Sequence, residues 1–400
     1  MKQYLRLLAK YPAFLAFGFL ATFASSFGQT FFIGLFNDAL RQSHDLSYGD
    51  FGALYAAATF IGGVLLMRIG KKLDVVPLSG FTCFTFIGLI VSALLAAIDW
   101  HVTLLFVALA GLRLFGQGFM GHIAMTSMGR YFSTDRGKAI AIAGMGFPLG
   151  EMILPIIVVM LFASIGWQST WLVFAGLLLL MLPLMLRLQR VKPDQAEHTH
   201  GIHKDELATL IRQRDIIREH KFWVVLPAML GLPFLVTALL LNQLWIAQEK
   251  GWSIAAVAAG ILMFSVSRVS VSLIAGSLID RIGSTRLIGA NILPATLGAA
   301  LLLVLPEVWA WWLFLGLAGV SAGINSALSG TLWAELYGVT RLATVRALVH
   351  ALMVFATALS PLLMGLMIDA GLDSTAVISF FVVLMLLAWL NAQRLGKQNG

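Results

Sequence analysis

Three ionisable residues, Arg113, Glu151 and Arg268, lie far inside apolar runs of the chain. A guanidinium at the centre of a bilayer costs from about 3 to more than about 10 kcal/mol, depending on how far water and lipid relax around it. Such a group has to face protein, a counter-charge or a water-filled route. Arginine carries a planar fork of donors that grips a carboxylate through charge-assisted hydrogen bonds. Arg113 and Arg268 are therefore candidates to hold an anion. Glu151 has two uses: it neutralises Arg113, or it accepts a proton, since desolvation raises a carboxyl pKa while a neighbouring arginine lowers it. A plain structural ion pair between Arg113 and Glu151 is the alternative. Gln117 stands one helical turn from Arg113, and Gln29, Asn242 and Asn325 add uncharged polar groups in other apolar runs. Each of these amides also suits an ordinary hydrogen bond between helices.

The elements that position these residues follow from composition. Of 400 residues, 59% are hydrophobic and 12% charged, whereas soluble domains carry about a quarter charged residues. The pattern predicts an all-α membrane protein with twelve transmembrane helices in two pseudo-symmetric six-helix bundles. Spans 1 to 12 are read at 12–36, 47–73, 75–98, 101–129, 138–164, 168–187, 222–247, 253–279, 285–305, 308–335, 342–368 and 373–393. Each is long enough for a hydrocarbon core of about 30 Å at about 1.5 Å per residue. Spans 3, 6, 9 and 12 have no charge in their interiors, as helices facing lipid should. The three mid-span charges belong to spans 4, 5 and 8.

All of the 27 Lys and Arg residues except Arg41, Lys250, Arg113 and Arg268 fall at the N-terminus, at one set of span ends, in the 187–221 segment or at the C-terminus. By the positive-inside rule those segments and both termini are cytoplasmic. The net charge of +8 is thus an orientation signal, and nucleic-acid binding is not expected. The lone cysteine, Cys83, gives no disulfide framework, and His198, His200 and His203 read as solvated linker residues, with no metal and no cofactor expected. No nucleophile–base pair marks an enzyme, and no Gly-x-x-x-x-Gly-Lys motif marks a phosphate-binding loop.

The two halves repeat. Ser47 and Ser253, Asp74 and Asp280, Tyr131 and Tyr337, and Pro155 and Pro361 are each 206 positions apart. Such coincidence points to parallel six-helix repeats. The domains are then residues 1–190, a cytoplasmic linker over 191–221 in which 205–219 is an amphipathic surface helix or disordered, and residues 222–400.

The motif Gly276-Ser-Leu-Ile-Asp280-Arg281-Ile-Gly283 after span 8, with twelve spans as six plus six and a basic central linker, resembles the major facilitator superfamily. The first-half copy keeps Gly70-x-x-x-Asp74 but has Val75, Pro77 and Leu78 where the family has Arg, Gly and a basic residue. The resemblance implies a role in conformational gating for Asp74, Asp280, Arg281, Gly276 and Gly283. The stretch Arg130-Tyr-Phe-Ser-Thr-Asp-Arg136-Gly-Lys138, the stretch Trp333-Ala-Glu-Leu-Tyr-Gly338 and an arginine within the eighth helix are similar to the monocarboxylate and oxalate/formate carriers. What this implies is a secondary carrier, a monomer in a bacterial inner membrane, moving a small organic anion with protons or by exchange. Arg113-x-x-Gly116-Gln-Gly118 is also similar to the fourth helix of drug/proton antiporters. An exporter of drugs or lipophilic metabolites is therefore the alternative.

Overall fold

The computed structural model describes residues 2–132, 135–191 and 213–396, apart from a few side chains that include those of Asp74 and Asp280. Most of the expected linker, 192–212, lies outside the described residues. Its visible end is a short helix, Gln213–Arg218. The chain divides into two compact units, Met1–Thr199 and His200–Gly400, and among the described residues there are helices and no strands.

Among the described residues, ten helical stretches are long and apolar enough to cross a membrane. One of them, Arg136–Leu188, is two spans: Gly166 adopts φ 79°, ψ 168° and folds the chain back. Gly338 (φ 73°, ψ 167°) makes the same reversal between spans 10 and 11. Positive φ with extended ψ is a conformation almost restricted to glycine. With the bent first segment Tyr4–Lys10 and Pro12–Gly28, whose parts meet at 105°, the spans number twelve.

Span 1 departs from the expected continuous helix over 12–36. Helix Pro12–Ala24 tightens into a 3-10 turn at Ser25–Gly28, Gln29 is extended (φ −82°, ψ 152°), and helix resumes at Thr30–Ile33. Span 4 is continuous but widens to a π-helix over Leu112–Met120. Span 7 bends at Asn242, between helices His220–Leu241 and Gln243–Lys250.

Small residues let these helices close on one another. In the N-terminal unit Gly146 abuts Phe19, Thr22 and Phe23 of span 1, and Gly150 abuts Ser26. Thr22 Oγ1 donates to the Ala143 carbonyl at 2.5 Å, and Phe27, Phe32 and Phe36 pack with Trp171 and Phe174 of span 6. In the C-terminal unit Gly319 and Gly323 of span 10 press on the backbone of Phe264 and Arg268 in span 8. Trp311 and Trp312 donate to the carbonyls of Val257 and Ala256.

The internal repeat is visible in local structure. Ser47 and Ser253 are both N-caps, accepting from the amides of Asp50 at 3.0 Å and Ala256 at 3.3 Å, a bond that satisfies a free donor of the first turn. Pro155 and Pro361 lie inside spans 5 and 11.

Candidate functional site

Arg113 is 5% exposed and sits in the π-helical part of span 4. Its Nε donates to Thr59 Oγ1 at 3.0 Å and its Nη1 to the Gly28 carbonyl at 3.1 Å. The guanidinium also lies 5.1 Å from the centre of the Tyr55 ring. Tyr55 in turn shares a 2.7 Å hydrogen bond with Thr30, just past the break in span 1. The Gly28 carbonyl is available because the helix ends there: the last carbonyls of a helix have no partner within it. Arg113 supplies that partner from another span. Gly28 lies directly on the backbone of Leu112, Gly116 and Gln117, leaving no room for a Cβ.

Gln29 and Gln117 are both half-buried, one at the break and the other in the π-turn against it. Glu151, also half-buried, follows Gly150, the residue that meets Ser26. The N-terminal candidates therefore gather around residues 26–29 of span 1. Tyr55 and Thr59 were not singled out from sequence. Their signal was a pair of polar side chains four apart on one face of span 2, which is the spacing of helix neighbours.

In the C-terminal unit Arg268 is half-buried in span 8, with its guanidinium 5.3 Å from the centre of the Phe264 ring. Gly62 is the residue equivalent to Arg268 by the 206 offset, and it touches Arg113. Asn325 accepts from Asn291 Nδ2 at 3.2 Å, joining spans 9 and 10. Asn242 is 3% exposed and donates to the Ala238 carbonyl at 3.1 Å, capping the first half of span 7.

The turn motif depends on glycine at one point: Gly283 has φ 87° and ψ 148°. Gly276 and Asp280 lie within helix Ile261–Ile282, Arg281 is exposed, and the side chains of Asp74 and Asp280 fall outside the described residues. Contacts tie both turns to the neighbouring span. Arg130 Nη1 donates to the Leu73 carbonyl at 3.2 Å, and Ser284 Oγ donates to Glu335 Oε2 at 2.5 Å. His122 turns toward span 2, where Nε2 donates to the Gly70 carbonyl at 3.1 Å.

Repeated six-span units with charges held at mid-span define a multi-pass membrane protein. The chain belongs to the Major Facilitator Superfamily, whose model matches residues 18–269. Among curated relatives, monocarboxylate transporter 6 of Mus musculus is 28% identical over 167 residues, 40% of this chain and 34% of the relative. The MFS-type transporter eupM of Phoma sp is 34% identical over 95 residues, 21% of this chain and 34% of the relative. Each match thus spans about a third of the relative's length. A bacterial homologue of the human lysosomal transporter Spinster, in an inward-facing and unoccupied conformation, superposes with a TM-score of 0.75 at 14% identity, covering 96% of this chain and 97% of that one. At that identity the likeness concerns the fold. The monocarboxylate match agrees with the resemblance of the Arg130–Lys138 and Trp333–Gly338 stretches.

Proposed function

We propose that the protein carries a small, carboxylate-like organic anion by alternating access, coupled to protons or to exchange. The observation that carries this reading is Arg268, a guanidinium in the middle of span 8 that is half-buried and flanked by an aromatic ring. A cation retained at that depth has a function to offset its desolvation, and a forked donor selects a planar carboxylate. The match to the mouse monocarboxylate transporter supports the same substrate class.

In this reading Arg268 is the substrate-binding cation of the C-terminal half, and Arg113 is the candidate cation of the N-terminal half. Gln29, Gln117, Asn242 and Asn325 supply neutral hydrogen bonds that set substrate shape. Glu151 takes the coupling proton. Asp74, Gly276, Asp280, Arg281 and Gly283 belong to the turns that change contacts as the carrier switches. The break at Gln29 and the bend at Asn242 give spans 1 and 7 places to flex. The proposed setting is a bacterial inner membrane, with both termini and the 191–221 linker in the cytoplasm and a monomer as the working unit.

The test is uptake and counterflow in proteoliposomes against a panel of monocarboxylates, dicarboxylates, phosphate and lipophilic drugs. Carboxylate uptake should fall at least about tenfold in Arg268→Lys, since the charge stays and the fork is lost. Drug-stimulated proton flux with carboxylate transport absent would replace the anion carrier by the exporter.

A further inference from the structure

We propose that the C-terminal unit carries a site for one anionic phospholipid, built from the groove between spans 9, 10 and 12. The groove has a volume of about 600 Å³ and is lined by apolar groups, among them Leu293, Leu297, Leu317, Val382 and Leu386. That volume lies within the range of small-molecule pockets, about 300–1,000 Å³. The one hydroxyl on its wall, that of Thr296, donates to the Ile292 carbonyl of its own helix at 2.8 Å. The wall therefore offers methyl and methylene groups only, which suits a hydrocarbon chain.

Span 9 is not a uniform helix along the groove. Span 9 is interrupted at Ile292 and restarts as helix Leu293–Val304 with Pro294 in its first turn. Further along, Gly298 brings the helix against the backbone of Phe314 in span 10. Span 9 is held to span 10 on both sides of the interruption, by the Asn291–Asn325 bond and by the Ala295 amide donating to Ser321 Oγ at 3.1 Å, so the groove opens on the remaining face, toward span 12.

Charge at the ends of the groove decides the kind of lipid. Ala290, Leu293, Leu297 and Ala300 line it from span 9, and Arg286 continues the same stripe one turn earlier, at a spacing of four, three, four and three residues. Val382 and Leu386 line it from span 12, and two turns further on come Gln393 and Arg394. Gln393 reaches across to the backbone of Gly289, so the ends of spans 9 and 12 meet there. Both Arg286 and Arg394 are exposed. At the opposite ends of these spans stand Glu307 and Asp373, exposed and acidic. A chain lying in the groove then places its headgroup beside two arginines at one end only. Basic residues at the mouth of an apolar cleft between spans are the arrangement that holds anionic headgroups, and forked donors fit a phosphodiester.

The experiment uses the full-length protein in a neutral detergent. Phosphatidylglycerol, phosphatidylcholine with the same acyl chains, and glycerol phosphate are titrated, with binding read by native mass spectrometry and by the shift in melting temperature. Phosphatidylglycerol should bind at least about tenfold more tightly than phosphatidylcholine, with glycerol phosphate without effect. Arg286→Gln with Arg394→Gln should reduce that preference to near unity, whereas Lys71→Gln with Lys72→Gln, exposed residues of the other unit, should leave it intact. Ala300→Phe, which fills the groove, should weaken both lipids alike. The site is refuted by equal binding of the two lipids to the unaltered protein, by a preference that survives loss of both arginines, or by glycerol phosphate matching the intact lipid. Because both arginines are exposed, the double variant is expected to fold, and its melting temperature without added lipid reports whether it does.

Discussion

Arg113 in span 4 donates to the carbonyl oxygen of Gly28 in span 1 at 3.1 Å, so a side chain of one helix completes the backbone hydrogen bonding of another. The break in span 1 and the arginine are parts of one joint. Neither is explained alone: the carbonyl needs a donor, and the buried guanidinium needs acceptors.

Removing that arginine leaves both Gly28 and Thr59 without their partner in a buried setting. Arg113→Met should destabilise the protein by about 1–3 kcal/mol, the usual cost of an unsatisfied buried polar group. Arg113→Lys should recover part of this, since one ammonium cannot keep the two-pronged geometry. Thermal melts in detergent, read alongside uptake, check both. An unchanged melt for Arg113→Met removes the joint.

Gly28→Ala is expected to cost about 1–3 kcal/mol through overpacking, because its Cβ would fall on the backbone of Leu112 and Gly116. Gly80→Ala is the matched control. That glycine is helical, in Leu78–Ala96, with nothing within 4 Å of a built Cβ. There alanine should be neutral or stabilising by up to about 1 kcal/mol.

The reversals at Gly166 and Gly338 make a third prediction. Alanine at either position forces a side chain into backbone angles close to φ 75° with extended ψ, a strain of about 1–3 kcal/mol. A Cβ on either glycine would have no neighbour within 4 Å, so the loss should come from the backbone alone. Serine should behave as alanine does, which a pair of melting curves settles.

If Glu151 carries the proton, Glu151→Gln should abolish uptake driven by a pH gradient while counterflow of labelled substrate continues. Loss of both reactions would move Glu151 from coupling to binding or to structure. Retention of both would remove it from the mechanism.

How much of this was legible in the sequence differs by kind of feature. Spans and repeat could be read because hydrophobic length and a constant offset are properties of the chain itself, and Ser47 and Ser253 turned out to cap equivalent helices. The fold could be read for the same reason. The interruption at Gln29 could not: Ser25 to Phe36 contains no proline, and its apolar side chains fit an unbroken helix. What fixes the break is the approach of Gly116 and the donor of Arg113, both tertiary and both distant in sequence. The π-turn at Leu112–Met120 was hidden likewise. Asn325 was picked out as polar, but its engagement with Asn291 depends on which faces of spans 9 and 10 meet.

The exchange between Gly62 and Arg268 has a consequence for how such a chain diverges after duplication. By the same offset Arg113 corresponds to Gly319, which presses on span 8 beside Ser267. In each half the second and fourth helices meet at a glycine: Gly62 lies against Arg113 in one, and Gly319 against Phe264 and Ser267 in the other. A side chain at position 319 would fall on the Phe264 carbonyl, so in the C-terminal half a guanidinium at this level has room on span 8 and none on span 10.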